Sequence, residues 1–433
     1  MNKFATGILL IALTGSVMAQ TPPSFASASA TDPAALGWML GAPPAPEKTI
    51  RFSDMSHYRF PQLRWIFANF RRVSPTVNIW RGDAPVVPLP RALRSDIESI
   101  NFVPTGGSEA ISFAESFDKT YADAILVMHK GQIVYERYFG LMKPQTPHFV
   151  ASVTKSFVGT IAAALVEEGK LDPTALVTKY IPELASGAYA DATVRQVMDM
   201  TIGVHFNENY ADPTANGWQH GRAVGFLPRP PGDTGPKSNF ESLQALRKEG
   251  EHGQAFAYKT ANSDVLGWLI SRVTGQSVSE LMSERLWQKF GAEFDAYMIV
   301  DTVGTEFSGG GLNLTLRDAA RFGEMMRLDG VINKQQVVPK AVVDDIRRGG
   351  KKSDFASANL PGLSGWSYRN QWWITHNEHG TYWARGIHGQ AIYIDPTAEM
   401  VIVRFGSHPL AAGTATNPNT LPAFHAVAKH LMR

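Results

Sequence analysis

Strand-forming sequence occurs in this chain in two blocks that lie far apart, with a helix-rich stretch between them. The first block is Ile125-Leu126-Val127-Met128 and Ile133-Val134-Tyr135-Glu136-Arg137-Tyr138, joined by His129-Lys130-Gly131-Gln132, and it reads as a β-hairpin. The second block holds two more hairpins. Gln371-Trp372-Trp373-Ile374-Thr375 faces Gly380-Thr381-Tyr382-Trp383-Ala384, and Gln390 to Asp395 faces Met400 to Phe405. A helix from Leu421 to Met432 follows. Hairpins so far apart share one sheet only if the middle of the chain leaves the sheet and returns. The expected architecture is therefore α+β: an antiparallel sheet flanked by helices, with an inserted helical domain and a cleft between the two lobes.

The middle supplies the helices. Val153, Phe157, Ile161, Ala164 and Leu165 recur at helical spacing, which predicts a helix with one buried stripe ending near Gly169. Thr193 is placed to cap a short helix over 193–200, and Thr315 and Asp318 to cap another reaching Leu328. Val265 to Val273 reads as a buried helix and Val278 to Phe290 as an amphipathic one. Residues 203–239 are rich in Asn, Gly and Pro and read as a long loop, of the kind that is usually functional. Residues 36–105, with many prolines and with aromatics between Arg64, Arg71 and Arg72, read as an extension lying on the main body in a packing or lid role.

Ser152-Val153-Thr154-Lys155 opens the first of these helices. Positions three apart share a helix face, so Ser152 and Lys155 are neighbours on the first turn. A serine hydroxyl attacks a carbonyl only when a base takes its proton, and a desolvated lysine amine can be that base. The free N–H groups of the helix start suit a developing oxyanion. A plainer explanation is an N-cap serine beside a solvent-exposed lysine. The two differ in whether Lys155 is buried and in what holds the serine hydroxyl.

Other chemistries are excluded or weak. There is no cysteine, hence no disulfide, thiolate metal site or cysteine nucleophile. A formal net charge of +2 and the lack of a basic run give no case for nucleic acid. His376 and His379 invite a metal reading, but the spacing is not that of a helical zinc motif, and no metal is expected. Gly309-Gly310-Gly311 lacks the lysine and spacing of a phosphate loop and reads as a tight turn beside a cleft. Lys3, the apolar run Ile8 to Leu13 and Val17-Met18-Ala19 form an export signal with cleavage expected after Ala19, which implies a periplasmic or secreted protein with no stable membrane insertion.

A serine–lysine pair also needs a second proton shuttle and a second oxyanion donor. In the order of the three motifs the chain resembles the serine β-lactamase, penicillin-binding protein and esterase superfamily, class C-like branch. Ser152-Val153-Thr154-Lys155 matches its S-x-x-K. Tyr258-Lys259-Thr260 stands at its Y-x-N, with Thr260 in the third place and Asn262 close by. Ala384-Arg385-Gly386 stands at its K-T-G. Both departures, with Tyr258 to Trp268, Gly386-Ile387-His388-Gly389-Gln390 and the loop around Asn207 to Pro213, are similar to the branch of 6-aminohexanoate-dimer hydrolases and related carboxylesterases.

The resemblance implies a β-lactamase/DD-peptidase-like fold and acyl transfer without a cofactor. Ser152, Lys155 and Tyr258 would be catalytic, and the N–H groups of Ser152 and Ile387 would hold the oxyanion. Tyr210, Asn262, Trp372 and His388 would touch a small amide or ester substrate; His388 is not the base, and Trp372, Trp373 and Trp383 read equally as pocket lining or core. The loss of the K-T-G lysine argues against efficient β-lactam turnover. A D-amino-acid peptidase, a weak β-lactamase and a non-catalytic binding protein of the same fold are the alternatives. The implied organisation is a signal over 1–19, an extension over 20–105, a first α/β part over 106–190, a helical domain over 191–305 and a second α/β part over 306–433.

Overall fold

In the computed structural model, which describes residues 25–209, 212 and 215–433, the two strand blocks form one seven-stranded antiparallel sheet. Its strands are β1 (Ala122–His129), β2 (Gln132–Tyr138), β3 (Ser367–Arg369), β4 (Trp372–Ile374), β5 (Tyr382–Gly386), β6 (Gln390–Asp395) and β7 (Met400–Gly406). The order across the sheet is β3-β4-β5-β6-β7-β1-β2. The seam between β7 and β1, with Val403 opposite Leu126 and Ile402 opposite Val127, unites the early and late parts of the chain. Lys130 and Gly131 both have positive φ, the geometry a two-residue hairpin turn requires. The export signal expected over residues 1–19 lies outside the described residues. Among those residues no helix is long and apolar enough to cross a membrane.

The central strands are apolar in both alternating positions because both faces are covered. Leu126, Met128, Ile392, Ile394, Val401 and Val403 pack into the larger core, under helices α1 (Val153–Glu167), α2 (Thr260–Thr274) and α3 (Leu316–Arg327). Ile125, Val127, Tyr393 and Ile402 face the other way, against Phe424, Val427 and Leu431 of α4 (Asn417–Leu431). That final helix begins four residues before the position expected from sequence, with Pro418 in its first turn, where a missing N–H costs nothing.

The caps at Thr193 and Thr315 form as expected, the first as a full capping box with Gln196. Gly169 takes positive φ just past the end of α1. Two expectations are corrected. Helix α1 is not striped: every residue from Val153 to Leu165 is buried, because the sheet covers one side and α2 the other. The stretch 203–239 is not loop throughout. Asn216–Ala223 is helical despite Gly217 and Gly221, held by tertiary contacts such as that of His220 with buried Asp264, 2.9 Å apart.

A second, four-stranded sheet sets the start of α1. Its strands in order are Thr76–Ile79, Ala296–Ile299, Leu312–Leu314 and His148–Phe149. The last of these runs directly into Ala151 and Ser152. Val150 N donates to Leu312 O at 3.1 Å, so the glycine turn before Leu312 is fixed beside the first turn of α1. The extension packs here too. Leu63, Ile66, Phe67 and Phe70 share a cluster with Phe149, Phe226 and Phe307, and its anchor is Arg64, 4% exposed and 3.2 Å from Asp123 on β1.

Candidate active site

Ser152 is the N-cap of α1, yet its side chain makes no capping hydrogen bond. Its Oγ instead accepts from Lys155 Nζ at 3.0 Å. Lys155 is 1% exposed, so the capping-serine, exposed-lysine alternative fails on both counts. The amine also donates to Thr260 Oγ1 (3.1 Å) and to Gly309 O (2.5 Å), so its three donor directions are all assigned. Burial lowers the Lys155 pKa to about 8, against the opposing pull of the Glu208 and Asp264 charges. Ala151, just before the serine, has φ of 46°, a left-handed backbone that turns the strand sharply into the helix.

Tyr258 precedes α2 and completes the group. Its hydroxyl lies near enough to the Ser152 side chain for that group to act on its titration, and the Lys155 amine stands 5.1 Å from its ring centroid. Burial pushes its pKa above the usual phenol value, while Ser152 and the Arg385 charge pull the other way. The phenol therefore stays protonated at the pH where the lysine becomes a free amine. One group can accept a proton while its neighbour donates one.

The turn that receives Lys155 is braced from below. Asp264 on α2, 2% exposed, accepts from Gly309 N (3.0 Å) and pairs with His220 Nε2. Glu208 Oε2 accepts from Thr260 N at 3.0 Å, which fixes the start of α2. Gly309-Gly310-Gly311 is thus a tight turn at the cleft, as its sequence suggests. An added Cβ at Gly309 would lie 2.3 Å from Thr260 Cγ2.

Ser152 opens onto a cleft with about 620 Å³ of atom-free space, part of it continuous with solvent. Phe149, Phe206, Trp218, Phe226, Phe307 and Ile387 give it an apolar lining, and Glu208 is its one carboxylate among the described residues. The N–H groups of Ser152 and Ile387 are used by no other group among the described residues, as an oxyanion site requires.

Other residues singled out from sequence lie elsewhere. Asn262, on α2, is fully buried and accepts from Tyr189 Oη at 2.8 Å, so it does not reach the cleft. Trp372 is also fully buried; its Nε1 donates to Thr160 Oγ1 and its ring stacks on Phe322. Trp373, on the opposite face of the strand, packs against Tyr258 with centroids 5.3 Å apart. His388 is buried, with Nδ1 2.6 Å from His408 O and a pKa lowered by burial to about 4. It is a neutral packing residue beside the cleft wall and does not line the cleft. Tyr210 lies outside the described residues. Arg385 sits among Trp366, Trp373 and Trp383 and donates to Asn417 Oδ1 at 2.6 Å, away from the cleft lining. Residues missed by sequence reading are Thr260 and Asp264. Thr260 was visible only as a misfit in the Y-x-N pattern.

His376 and His379 do not converge. His376 Nε2 pairs with Ser367 Oγ and His379 Nδ1 with Asp395 Oδ2, each at 2.7 Å. Glu378, His379 and His425 do bring ligand-type atoms within 4.8 Å of one another on the surface far in sequence from Ser152. Glu378 is exposed and the Lys429 charge acts on His425, a poor setting for a cation.

Comparison with known proteins agrees with this geometry. The β-lactamase family profile matches residues 113–426. A 6-aminohexanoate-dimer hydrolase of Paenarthrobacter ureafaciens is 37% identical over 354 residues, which cover 81% of this chain and 86% of the relative. A solved structure from Bacillus anthracis, assigned as a 6-aminohexanoate-dimer hydrolase, is 32% identical with a TM-score of 0.81, covering 90% of this chain and 99% of its own. A family VIII carboxylesterase shares the fold at 15% identity, with a TM-score of 0.54 over 72% of this chain and 95% of its own.

Proposed function

The chain belongs to the β-lactamase family of hydrolases, and from that membership we propose that it is an exported serine hydrolase cleaving small linear amides or esters through an acyl-enzyme on Ser152. The observation that carries this reading is the buried amine of Lys155, 3.0 Å from a serine hydroxyl that caps nothing.

Ser152 Oγ attacks the substrate carbonyl carbon as its proton passes to neutral Lys155 Nζ. The carbonyl oxygen becomes an oxyanion and accepts from the N–H groups of Ser152 and Ile387; losing one such donor typically costs a hundred- to a thousandfold in rate, about 3–4 kcal/mol. As the carbon–nitrogen or carbon–oxygen bond breaks, the Tyr258 phenol gives its proton to the leaving amine or alkoxide and is reprotonated from the Lys155 ammonium. Water then attacks the acyl-enzyme, its proton goes to Lys155, and the serine leaves with a proton restored. The balance is one water consumed per bond cleaved. Glu208 and Asp264 act through Thr260 and Gly309 to keep the amine aimed at the serine.

The relative from Paenarthrobacter ureafaciens is named for hydrolysis of the 6-aminohexanoate dimer, and the apolar cleft here suits a flexible aliphatic chain of that kind. The absence of a lysine from Ala384-Arg385-Gly386, together with Arg385 facing tryptophans, weighs against β-lactams. A fluorophosphonate probe followed by peptide mass spectrometry tests the nucleophile. The expected result is one label, on Ser152, lost in Ser152→Ala. Labelling elsewhere, or none, defeats the proposal. Turnover of 6-aminohexanoate dimer, p-nitrophenyl esters, nitrocefin and D-Ala-D-Ala peptides then separates the substrate classes, and rapid nitrocefin hydrolysis would overturn the preference for linear substrates.

A further inference from the structure

The family match begins at residue 113, but the cleft does not. Tyr58, from the extension, lines it together with Ser152 and Ile387. Its ring meets Trp218, Phe226 and His388 edge to face, with centroids 5.7, 5.7 and 6.3 Å apart. Edge-to-face contacts on three sides fix both the position and the tilt of a ring. Tyr58 thereby joins three separate parts of the wall: the helix at 216–223, the segment that follows it, and the turn after β5.

The segment that carries Tyr58 is tied to the catalytic turn. Phe149 N, three residues before Ser152, donates to Phe67 O at 2.7 Å. Arg64 donates to Ser407 Oγ and to Thr31 Oγ1, both at 3.0 Å, besides its pairing with Asp123. His57, next to Tyr58, is buried and stacks on Phe52 with centroids 4.7 Å apart. A side chain so held cannot swing aside cheaply when a substrate enters. Its hydroxyl has no hydrogen-bond partner among the described residues, although burial raises its pKa.

We propose that Tyr58 is the specificity gauge of the cleft: it stops the aliphatic chain of the substrate at a set length, so that the extension is a working part of the site. This rests on Ser152 as the nucleophile. Where a chain grows into an apolar cleft, each added methylene raises kcat/KM by about fourfold until it meets a wall. Across p-nitrophenyl esters from acetate to octanoate, the protein should show a rise of that slope and then a fall.

Tyr58→Ala removes the stop, and the optimum should move to chains at least two carbons longer. Tyr58→Trp thickens the wall and should move it to shorter chains. Tyr58→Phe keeps the ring and should leave the optimum in place. The deciding readout is the ratio of kcat/KM for long to short esters; a purely structural defect lowers both values equally and leaves that ratio unchanged. Fluorophosphonate labelling of Ser152 in each variant separates the two readings. An unchanged length profile in variants that still label at Ser152 overturns the gauge alone, while no labelling in the unaltered protein overturns the nucleophile. If Tyr58→Ala does not fold, Tyr58→Trp still decides: an unshifted optimum in that variant refutes the proposal.

Discussion

The rate at which Ser152 is acylated should follow the ionisation of Lys155. Burial holds that amine at a pKa of about 8, where lysine is ordinarily near 10.5. At pH 7 roughly one amine in eleven is then unprotonated, against about one in three thousand for an ordinary lysine. Desolvation thus raises the supply of base at neutral pH by about three-hundredfold. Only the neutral amine accepts the serine proton, so the rate rises with pH. It should rise about tenfold per unit below pH 7, rise about tenfold in all between pH 7 and 9, and then level off. The charges that face the amine are Glu208 and Asp264, and both raise its pKa. Glu208→Gln removes one of them while keeping an acceptor for Thr260 N, so the limb should move to lower pH. The assay is the second-order rate of fluorophosphonate labelling from pH 5.5 to 10, with labelling of Ser152 confirmed by mass spectrometry. A rate flat from pH 6 to 9, or a limb near pH 10.5, would refute the argument that a desolvated lysine is the base. A Glu208→Gln limb displaced upward would show that the carboxylate acts in some other way.

Two further outcomes are expected. Thr260→Val keeps the shape but removes an acceptor for the Lys155 amine, and should lower kcat about tenfold with KM little changed, a loss of about 1–2 kcal/mol in orienting the base. Gly159→Ala would place a Cβ 2.2 Å from Asn370 O and 2.6 Å from Gln371 Cβ, so it should destabilise by about 1–3 kcal/mol, read as a lower urea midpoint.

What the sequence disclosed depended on how local the governing interaction was. Ser152 and Lys155 are one helical turn apart, and their proximity follows from helix geometry alone. The hairpins were legible for the same reason. Thr260 was not, because its part is defined by the amine of a residue on another helix. Asn262 drew attention by lying near the expected asparagine, but two further residues along α2 turn it into the core against Tyr189. Trp372 and Trp373 are adjacent in the sequence, and strand alternation dictates that they face opposite ways without saying which faces the site. Helix α1 looked striped because its small residues, Ala162, Ala163 and Gly159, carry no strong hydropathy signal. All three are buried, and at Gly159 the backbone of Asn370 comes too close to admit a side chain. The helix at 216–223 and the extension have little periodicity of their own, and are shaped by what they touch.

The seam between β1 and β7 has a consequence for how the molecule comes into being. A ribosome finishes β1 long before it begins β7, and until then the apolar edge of the first hairpin has nothing to pair with. The entropy of closing so large a loop grows only logarithmically with its length, but the delay falls on the chain while an apolar strand is bare. Ile387 emerges in the same late stretch. A nascent chain thus carries Ser152 and Lys155 before it has the turn after β5 that lines the cleft beside them.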